Sequence, residues 1–329
     1  MNLGVLGTAG IAHHSFVPAV TKTDHEVTAI ASRSDERAEQ FATDHGIAQA
    51  FGSYEELLES DVDAVYLPLP NALHAEWTKR ATDHGLHVLC EKPLAVNAEE
   101  AREMGDYCDQ QGVTLMEAMM FRYYPRTERM VEAANELGVV RSVDAGFHSS
   151  LRRWPAGTRF DPDLGGGCLL DVGVYAIEVA RLFLGEPDRV VARVADPEET
   201  GVETQVSGIL AFPGGRTAQI DCSFRLQDAQ YCRVEGTDGR LHANRAFSVG
   251  TDPSEFELYL PGRQALESFD SADPYALELE RFAEYVETGE RPRTDAREAA
   301  RTLAVVDSLR KSEEIGEWVD IPRWVASSE

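Results

Sequence analysis

The chain has 329 residues, with 57 acidic side chains against 31 basic ones, a formal net charge of −26 and 43% apolar content. That length suits one large domain or, more often, two, and the apolar content is ample for a core, so the charge does not mark disorder. A surface this acidic is repelled by phosphate backbones and anionic lipid, which excludes nucleic acid and membrane surfaces as expected partners.

The first 118 residues alternate short apolar runs with amphipathic segments. Strands are predicted at Leu3–Leu6, Val27–Ala31, Ala64–Leu67, His87–Cys90 and Thr114–Met116. Ser53 with Glu56, and Asn97 with Glu100, have the spacing of helix N-terminal caps, and Gly46, Gly85 and Gly112 stand where helices stop. Strands alternating with helices of this length imply βαβ units and a doubly wound parallel sheet. From Pro125 the pattern changes. A helix over Pro125–Leu137 and a strand over Ser142–Ser150 precede a long apolar helix, Cys168–Leu184. Val190–Val194, Gln205–Phe212, Thr217–Arg225 and Tyr231–Thr237 then follow without intervening helices, the pattern of hairpins in an antiparallel sheet. Helices over Pro274–Glu287 and Asp295–Ser312 close the chain. The expected architecture is an α/β domain over residues 1–119 and an α+β domain with an open, mostly antiparallel sheet over 120–329.

Gly7-Thr8-Ala9-Gly10-Ile11-Ala12 follows the first strand and opens a helix, the G-x-G-x-x-G/A position of a dinucleotide fold with Ala9 and Ala12 replacing two glycines. A tight first turn there brings backbone amides to a pyrophosphate at a helix N-terminus. His13 and His14 come next, in reach of the site mouth or simply on the surface. The second strand ends Ile30-Ala31-Ser32-Arg33-Ser34, with Arg37 one turn later and no acid before Asp35. A carboxylate at that strand end would hold a ribose 2′-hydroxyl, whereas Ser32, Arg33 and Arg37 suit a 2′-phosphate, so NADP is expected over NAD.

Leu69-Pro70-Asn71, with His74 on the next turn, follows a strand end and is expected over the cofactor crevice, although Asn71 also fits a helix cap. Glu91-Lys92-Pro93 follows another strand end. In a chain with four lysines and 27 arginines, Lys92 at this place is a candidate to stabilise a developing alkoxide. Arg122, Tyr123 and Tyr124 mark the domain junction; Arg152, Arg153, Trp154 and Arg159 form a basic, aromatic stretch. After Gly165-Gly166-Gly167, Asp171 and Tyr175 lie four apart on one apolar helix face, where a carboxylate needs a partner or a task and Tyr175 suits proton transfer. Neither metal-ligand spacing nor a G-x-S-x-G element occurs. The five cysteines lack a Cys-x-x-Cys pair, and no run of about 18 apolar residues occurs, so a reducing, cytoplasmic location without signal peptide or membrane span is expected. Lysine depletion beside abundant Asp and Glu suggests salt adaptation.

Taken in order, Gly7–Ala12, Leu69-Pro70-Asn71 with His74, Glu91-Lys92-Pro93, Glu117–Arg122 and Gly165-Gly166-Gly167 with Asp171 and Tyr175 resemble the glucose-fructose oxidoreductase/inositol dehydrogenase (Gfo/Idh/MocA) family over essentially the whole chain. The most similar subgroup holds NADP-dependent D-xylose dehydrogenases and dimeric dihydrodiol dehydrogenases. The resemblance implies a Rossmann domain and a second domain whose open sheet face joins copies into a homodimer or homotetramer. It implies Lys92 and Tyr175 as the catalytic pair with Asp171 assisting, Arg33 and Arg37 on the 2′-phosphate, and Tyr124, Phe147 and Arg159 on the substrate side. Glu91, Arg122 and Gly7, Thr8, Ala9 and Ile11 belong to the implied cofactor set. Tyr124 stands where relatives often carry His, and Met120 where some dihydrodiol enzymes carry Trp, which argues against a flat aromatic diol. The leading expectation is an NADP-dependent aldose 1-dehydrogenase acting on D-xylose or a related pyranose. The alternatives are a trans-dihydrodiol dehydrogenase or sugar-ketone reductase of the same fold, and a non-catalytic NADP-sensing regulator.

Overall fold

Six strands, β1 (Asn2–Leu6), β2 (Glu26–Ala31), β3 (Gln49–Phe51), β4 (Ala64–Leu67), β5 (His87–Glu91) and β6 (Leu115–Ala118), pair in parallel in the order β3-β2-β1-β4-β5-β6. The structure is a computed structural model and describes residues 1–151, 157–197, 199–248 and 252–322. The strand order reverses between β1 and β4, the switch point where ligands dock in open parallel sheets. β4 is buried along its whole length, as a strand covered on both faces must be. β3 was not among the predicted strands: three residues on a sheet edge, two of them exposed, leave no hydrophobic period to read.

The helices of this layer are α1 (Val17–Val20), α2 (Asp35–His45), α3 (Tyr54–Leu58), α4 (His74–Asp83) and α5 (Ala98–Gln111). The two predicted caps form: the Ser53 and Asn97 side chains accept from the Glu56 and Glu100 amides at 3.2 and 2.9 Å. α2 and α5 stop at Gly46 and Gly112, both in the left-handed region that a side chain would strain.

The chain divides into two compact units. The first is Met1–Tyr123 together with Asp273–Ala299; the second is Tyr124–Ala272 with Ala300–Glu329. The helix Pro274–Thr288 thus joins the first unit, where the sequence reading has one continuous second domain. Its Leu279 and Phe282 are fully buried in one core with Leu3, Ile30 and Tyr66. An apolar stripe is legible in a sequence, but which core it enters is not.

In the second unit, α6 (Pro125–Ala134) and α7 (Val174–Leu184) accompany a nine-stranded sheet. Its strands are β7 (Val140–His148), β8 (Arg189–Ala195), β9 (Gln205–Phe212), β10 (Arg216–Ser223), β11 (Ala229–Gly236), β12 (Arg240–Asn244), β13 (Ser254–Leu260), β14 (Arg263–Phe269) and β15 (Val319–Asp320), in the order β14-β13-β12-β11-β7-β10-β9-β8-β15. All pairings are antiparallel except β7 with β10. β10 and β11 therefore do not form the expected hairpin. Both flank β7, and the segment 224–228 steps across its end, a span of about 10 Å at the usual strand spacing. β12, β13 and β14, absent from the predicted elements, continue this meander. β9 and β10 alternate buried and open positions, and α7 packs against β7 and β10 on the buried face. The other face carries a cross-strand ion pair, Arg233 with Asp144 at 3.6 Å, and places the His148 ring 3.5 Å from the Asp221 carboxylate.

Candidate active site

In the first unit the candidate residues follow the carboxyl ends of the parallel strands. After β1, Gly7 turns with φ +115° and its N–H donates to Ala31 O at 2.9 Å. A Cβ there would press on Leu69 Cδ2 at 3.0 Å, so only glycine fits this turn. Gly10 is the opposite case. A Cβ on it would meet nothing nearer than the His14 ring at 4.0 Å, which leaves room beside the amides of a helix start. Thr8, Ala9 and Ile11 are half-buried around that space. The chain then makes one wide π turn, Ala12–Phe16, closed by the Val17 N–H donating to Ala12 O. His13 lies 2.8 Å from His45 through their ring nitrogens, and His14 is exposed.

At the end of β2, Ser32 is buried and its N–H donates to Phe51 O at 3.0 Å, while Arg33 and Arg37 are exposed. Arg33 also hydrogen-bonds the Tyr54 hydroxyl, whose pKa is raised by burial against the pull of Arg33 and Arg37. Two guanidinium groups and a phenol therefore converge beside the Gly7 turn. Asp35, the nearest acid on this segment, turns its carboxylate onto Gly52, where a Cβ would collide with it.

The next two strand ends are tied together. Leu69 is buried, and Pro70 and Asn71 are half-buried. His74 is fully buried, with Nδ1 2.9 Å from Pro93 O and Nε2 2.9 Å from Leu69 O. Burial lowers its pKa, although both carbonyls favour the proton. Both ring nitrogens are spent on main chain, so this side chain braces the Leu69 and Lys92 loops instead of facing the crevice. The Lys92–Pro93 peptide is cis. Lys92 is half-buried, and its N–H donates to Glu91 Oε2 at 3.3 Å. Glu91 Oε1 accepts from the Tyr66 hydroxyl at 2.6 Å, and Glu117 Oε1 accepts from the Leu94 N–H at 2.8 Å. Glu278, on the helix Pro274–Thr288, is fully buried, and among the described residues neither carboxylate oxygen finds a hydrogen-bond partner; burial raises its pKa well above the ordinary value, helped by Glu91 and Glu117. Arg122 is half-buried on a 3-10 turn, and its carbonyl accepts from Arg293 Nη1 at 3.1 Å.

In the second unit the glycine run sets the geometry. Gly167 N–H donates to Arg159 O at 3.0 Å and Gly166 N–H to Asp161 O at 2.9 Å. A Cβ on Gly166 would lie 2.7 Å from Arg159 O, so the run must stay bare for the two segments to touch. That approach lets Arg159 Nε donate to Asp171 Oδ2 at 2.7 Å. The predicted α-helix begins instead as a π turn over Leu169–Gly173, closed by the Val174 N–H donating to Leu169 O. Gly173 is closely packed within this turn: a Cβ on it would meet Cys222 Sγ at 3.1 Å and Leu169 Cδ2 at 3.2 Å. Asp171 is half-buried there and Tyr175 buried on α7. The Tyr175 ring touches Phe147 at 5.3 Å and Phe247 at 5.5 Å between centroids. Tyr124 is buried, and among the described residues its hydroxyl has no hydrogen-bond partner. Arg152, Arg153 and Trp154 lie outside the described residues.

Sequence reading did not single out Tyr66, Tyr54, Glu278, Phe247 or Arg126. Tyr66, alone among aliphatic neighbours in β4, carried a faint signal; Phe247 and Arg126 carried none, because remote segments give them their roles.

Two family models match the chain: "Oxidoreductase family, NAD-binding Rossmann fold" over residues 1–119 and "GFO/IDH/MocA C-terminal domain" over 126–242. The chain is 49% identical over 324 residues to the D-xylose 1-dehydrogenase (NADP(+)) 2 of Haloferax volcanii, spanning 98% of this chain and 100% of that one. The 3-ketoreductase from Actinomadura kijaniata, solved with NADP and TDP-benzene, superposes with a TM-score of 0.89 at 34% identity over 95% of this chain and 97% of that one. The aldose-aldose oxidoreductase from Caulobacter crescentus, solved with glycerol, gives a TM-score of 0.91 at 25% identity over 97% of this chain and 99% of that one.

Proposed function

The chain belongs to the Gfo/Idh/MocA family of oxidoreductases, and from that premise we propose that it is an NADP-dependent aldose 1-dehydrogenase converting D-xylose, or a related pyranose, to its lactone. The near-full-length match to the Haloferax D-xylose 1-dehydrogenase carries this reading. The residues of the first unit fit the dinucleotide: Gly10 leaves open space for a diphosphate at a helix start, and Arg33, Arg37 and Ser32 suit the extra phosphate of NADP over NAD. When bound, NADP supplies the nicotinamide carbon that accepts hydride.

In this proposal the first unit is the cofactor domain, and the second binds substrate. Lys92 donates to the anomeric oxygen and stabilises the negative charge that develops as its proton leaves. Tyr175, entering as the phenolate that an adjacent cation favours, takes that proton and becomes the neutral phenol. The C1–H bond breaks with its electron pair, the C1–O bond becomes a carbonyl, and the ring becomes a lactone. Asp171, fixed by Arg159 at 2.7 Å, holds the sugar. Phe147 and Tyr124 line the substrate side, and Arg122, Glu91 and the Leu69-Pro70-Asn71 loop line the cofactor side, with His74 bracing that loop. The polar face of the second sheet joins copies into a homodimer or homotetramer. The acidic composition belongs to a salt-adapted, cytoplasmic enzyme; among the described residues no helix is long and apolar enough to cross a membrane.

A panel of aldoses, inositols and trans-dihydrodiols, run at molar salt with NADP and with NAD, tests the reading. The highest kcat/KM is expected with D-xylose and NADP, with NAD at least about tenfold poorer. A clear preference for an inositol or diol overturns the substrate, and NADP binding without turnover on any member favours a regulator. The likeness to the Actinomadura 3-ketoreductase supports a second reading, sugar-ketone reduction. It predicts faster NADPH oxidation with keto-sugars than xylose oxidation at equal concentration.

A further inference from the structure

Arg126 is among the most deeply buried side chains of the second unit, 2% exposed on α6, and no carboxylate pairs with it among the described residues. Three successive carbonyls take the place of an anion. Nη1 donates to Asn244 O at 3.5 Å, and Nη2 donates to Arg245 O at 3.1 Å and Ala246 O at 2.6 Å. The Tyr124 ring lies 5.9 Å from the guanidinium, and among the described residues Nε has no hydrogen-bond partner. An unpaired buried cation costs several kcal/mol that an apolar side chain of similar volume would not, so core filling alone does not account for an arginine here.

The segment it holds is strained. Arg245 has φ +51°, left-handed for a residue that is not glycine. The second edge of the turn is pinned by Gln230: its carbonyl accepts from Arg245 N–H at 2.8 Å, and its Oε1 accepts from the amides of Phe247 at 3.2 Å and Ser248 at 2.7 Å. Between the two clamps the chain delivers the buried Phe247 ring against Phe147, 5.7 Å away and nearly parallel at 15°, and against Tyr175 at 5.5 Å. Phe147, Phe247 and Tyr175 thus form one three-ring cluster just after the π turn, each ring centroid within 5.7 Å of the other two.

We infer that Arg126 and Gln230 clamp the 244–248 turn so that Phe247 holds the Tyr175 ring in its reactive orientation; Arg126, Gln230 and Phe247 are positioning residues for the proton transfer. The inference rests on the catalytic role proposed for Tyr175. Small misplacements of a reacting group cost rate far more than they cost binding.

The test uses the full chain at molar salt with NADP and the best sugar of the panel. Phe247→Leu is expected to lower kcat about tenfold, with the sugar KM changed less than about threefold. It is also expected to move the pH dependence of kcat, and Phe247→Tyr to restore both. Added to Tyr175→Phe, the same change is expected to lower kcat no further, as for residues acting through one group. Should Phe247→Leu fail to fold, Gln230→Met, at a half-buried position, is expected to lower kcat in the same direction by a smaller factor. A folded Phe247→Leu or Gln230→Met enzyme with wild-type kcat and pH profile, beside an inactive Tyr175→Phe, overturns the clamp alone. Full activity in Tyr175→Phe overturns the catalytic assignment and the clamp together.

Discussion

The two units hold their candidate residues by different means. In the first, main chain does most of the placing: strands β1, β2, β4, β5 and β6 end on one side of a parallel sheet, and short loops present Gly7, Arg33, Asn71 and Lys92 there. Support comes from polar groups that bind backbone, His74 on the Leu69 and Pro93 carbonyls and Glu117 on the Leu94 amide. In the second, side chains hold side chains: Arg159 on Asp171, and Phe147 and Phe247 on Tyr175, with a strained turn kept in place from α6 and β11. Topology places the first set before any particular side chain is chosen, whereas packing places the second. The first set should therefore tolerate neighbouring substitutions that the second does not.

The sharpest break is expected at Lys92. Lys92→Ala removes the group proposed to meet the developing oxyanion and should lower kcat about 10²–10³-fold, with NADP affinity by fluorescence titration nearly unchanged. Loss of NADP binding instead would move Lys92 from chemistry to cofactor docking. Next comes Arg33→Ala with Arg37→Ala, which should raise the NADP KM about 10- to 100-fold while leaving the NAD KM nearly as it was. Equal losses for both cofactors would deny these arginines the 2′-phosphate.

Asp171→Asn keeps the shape but ends the charge pairing with Arg159. A fall in kcat/KM for the sugar of about tenfold is expected, without change in cofactor binding. An unaffected enzyme would reduce that pair to a surface ion pair, since Arg159 is 58% exposed.

The smallest effect concerns stability in the first unit. Burial, with Glu91 and Glu117 near it, raises the Glu278 pKa well above the ordinary 4.5, so the folded chain holds this proton to a higher pH than the unfolded chain does. Above pH 4.5 the unfolded chain releases that proton while the folded chain keeps it, so stability drains as pH rises toward the folded pKa. Glu278→Gln cannot ionise. Its Tm should match the wild type at pH 4.5 and exceed it increasingly toward pH 8. A constant Tm difference across that range would mean that Glu278 is ionised in the fold.

Much of this was legible in the residues. The alternation of strand and helix, the glycines of the first turn, the arginines without an acid after the second strand and Lys92 at a strand end all depend on neighbours in sequence, which local sterics and hydrogen bonding govern. Three kinds of feature were not. The helix Pro274–Thr288 shows its apolar stripe but not that Leu279 and Phe282 enter the first core. The strand pattern of the second sheet shows runs but not that β7 inserts between β10 and β11. The pair Asp171 and Tyr175 shows a shared face, but not the π turn beneath it or the ring of Phe247 beside it. By itself the sequence determined the family and the stretch that folds as its nucleotide-binding domain, because those are written at spacings of a few residues. Only the tertiary structure decided which distant segments brace Tyr175 and Lys92, because packing joins residues such as Arg126 and Ala246, 120 positions apart, through contacts that leave no period in the chain.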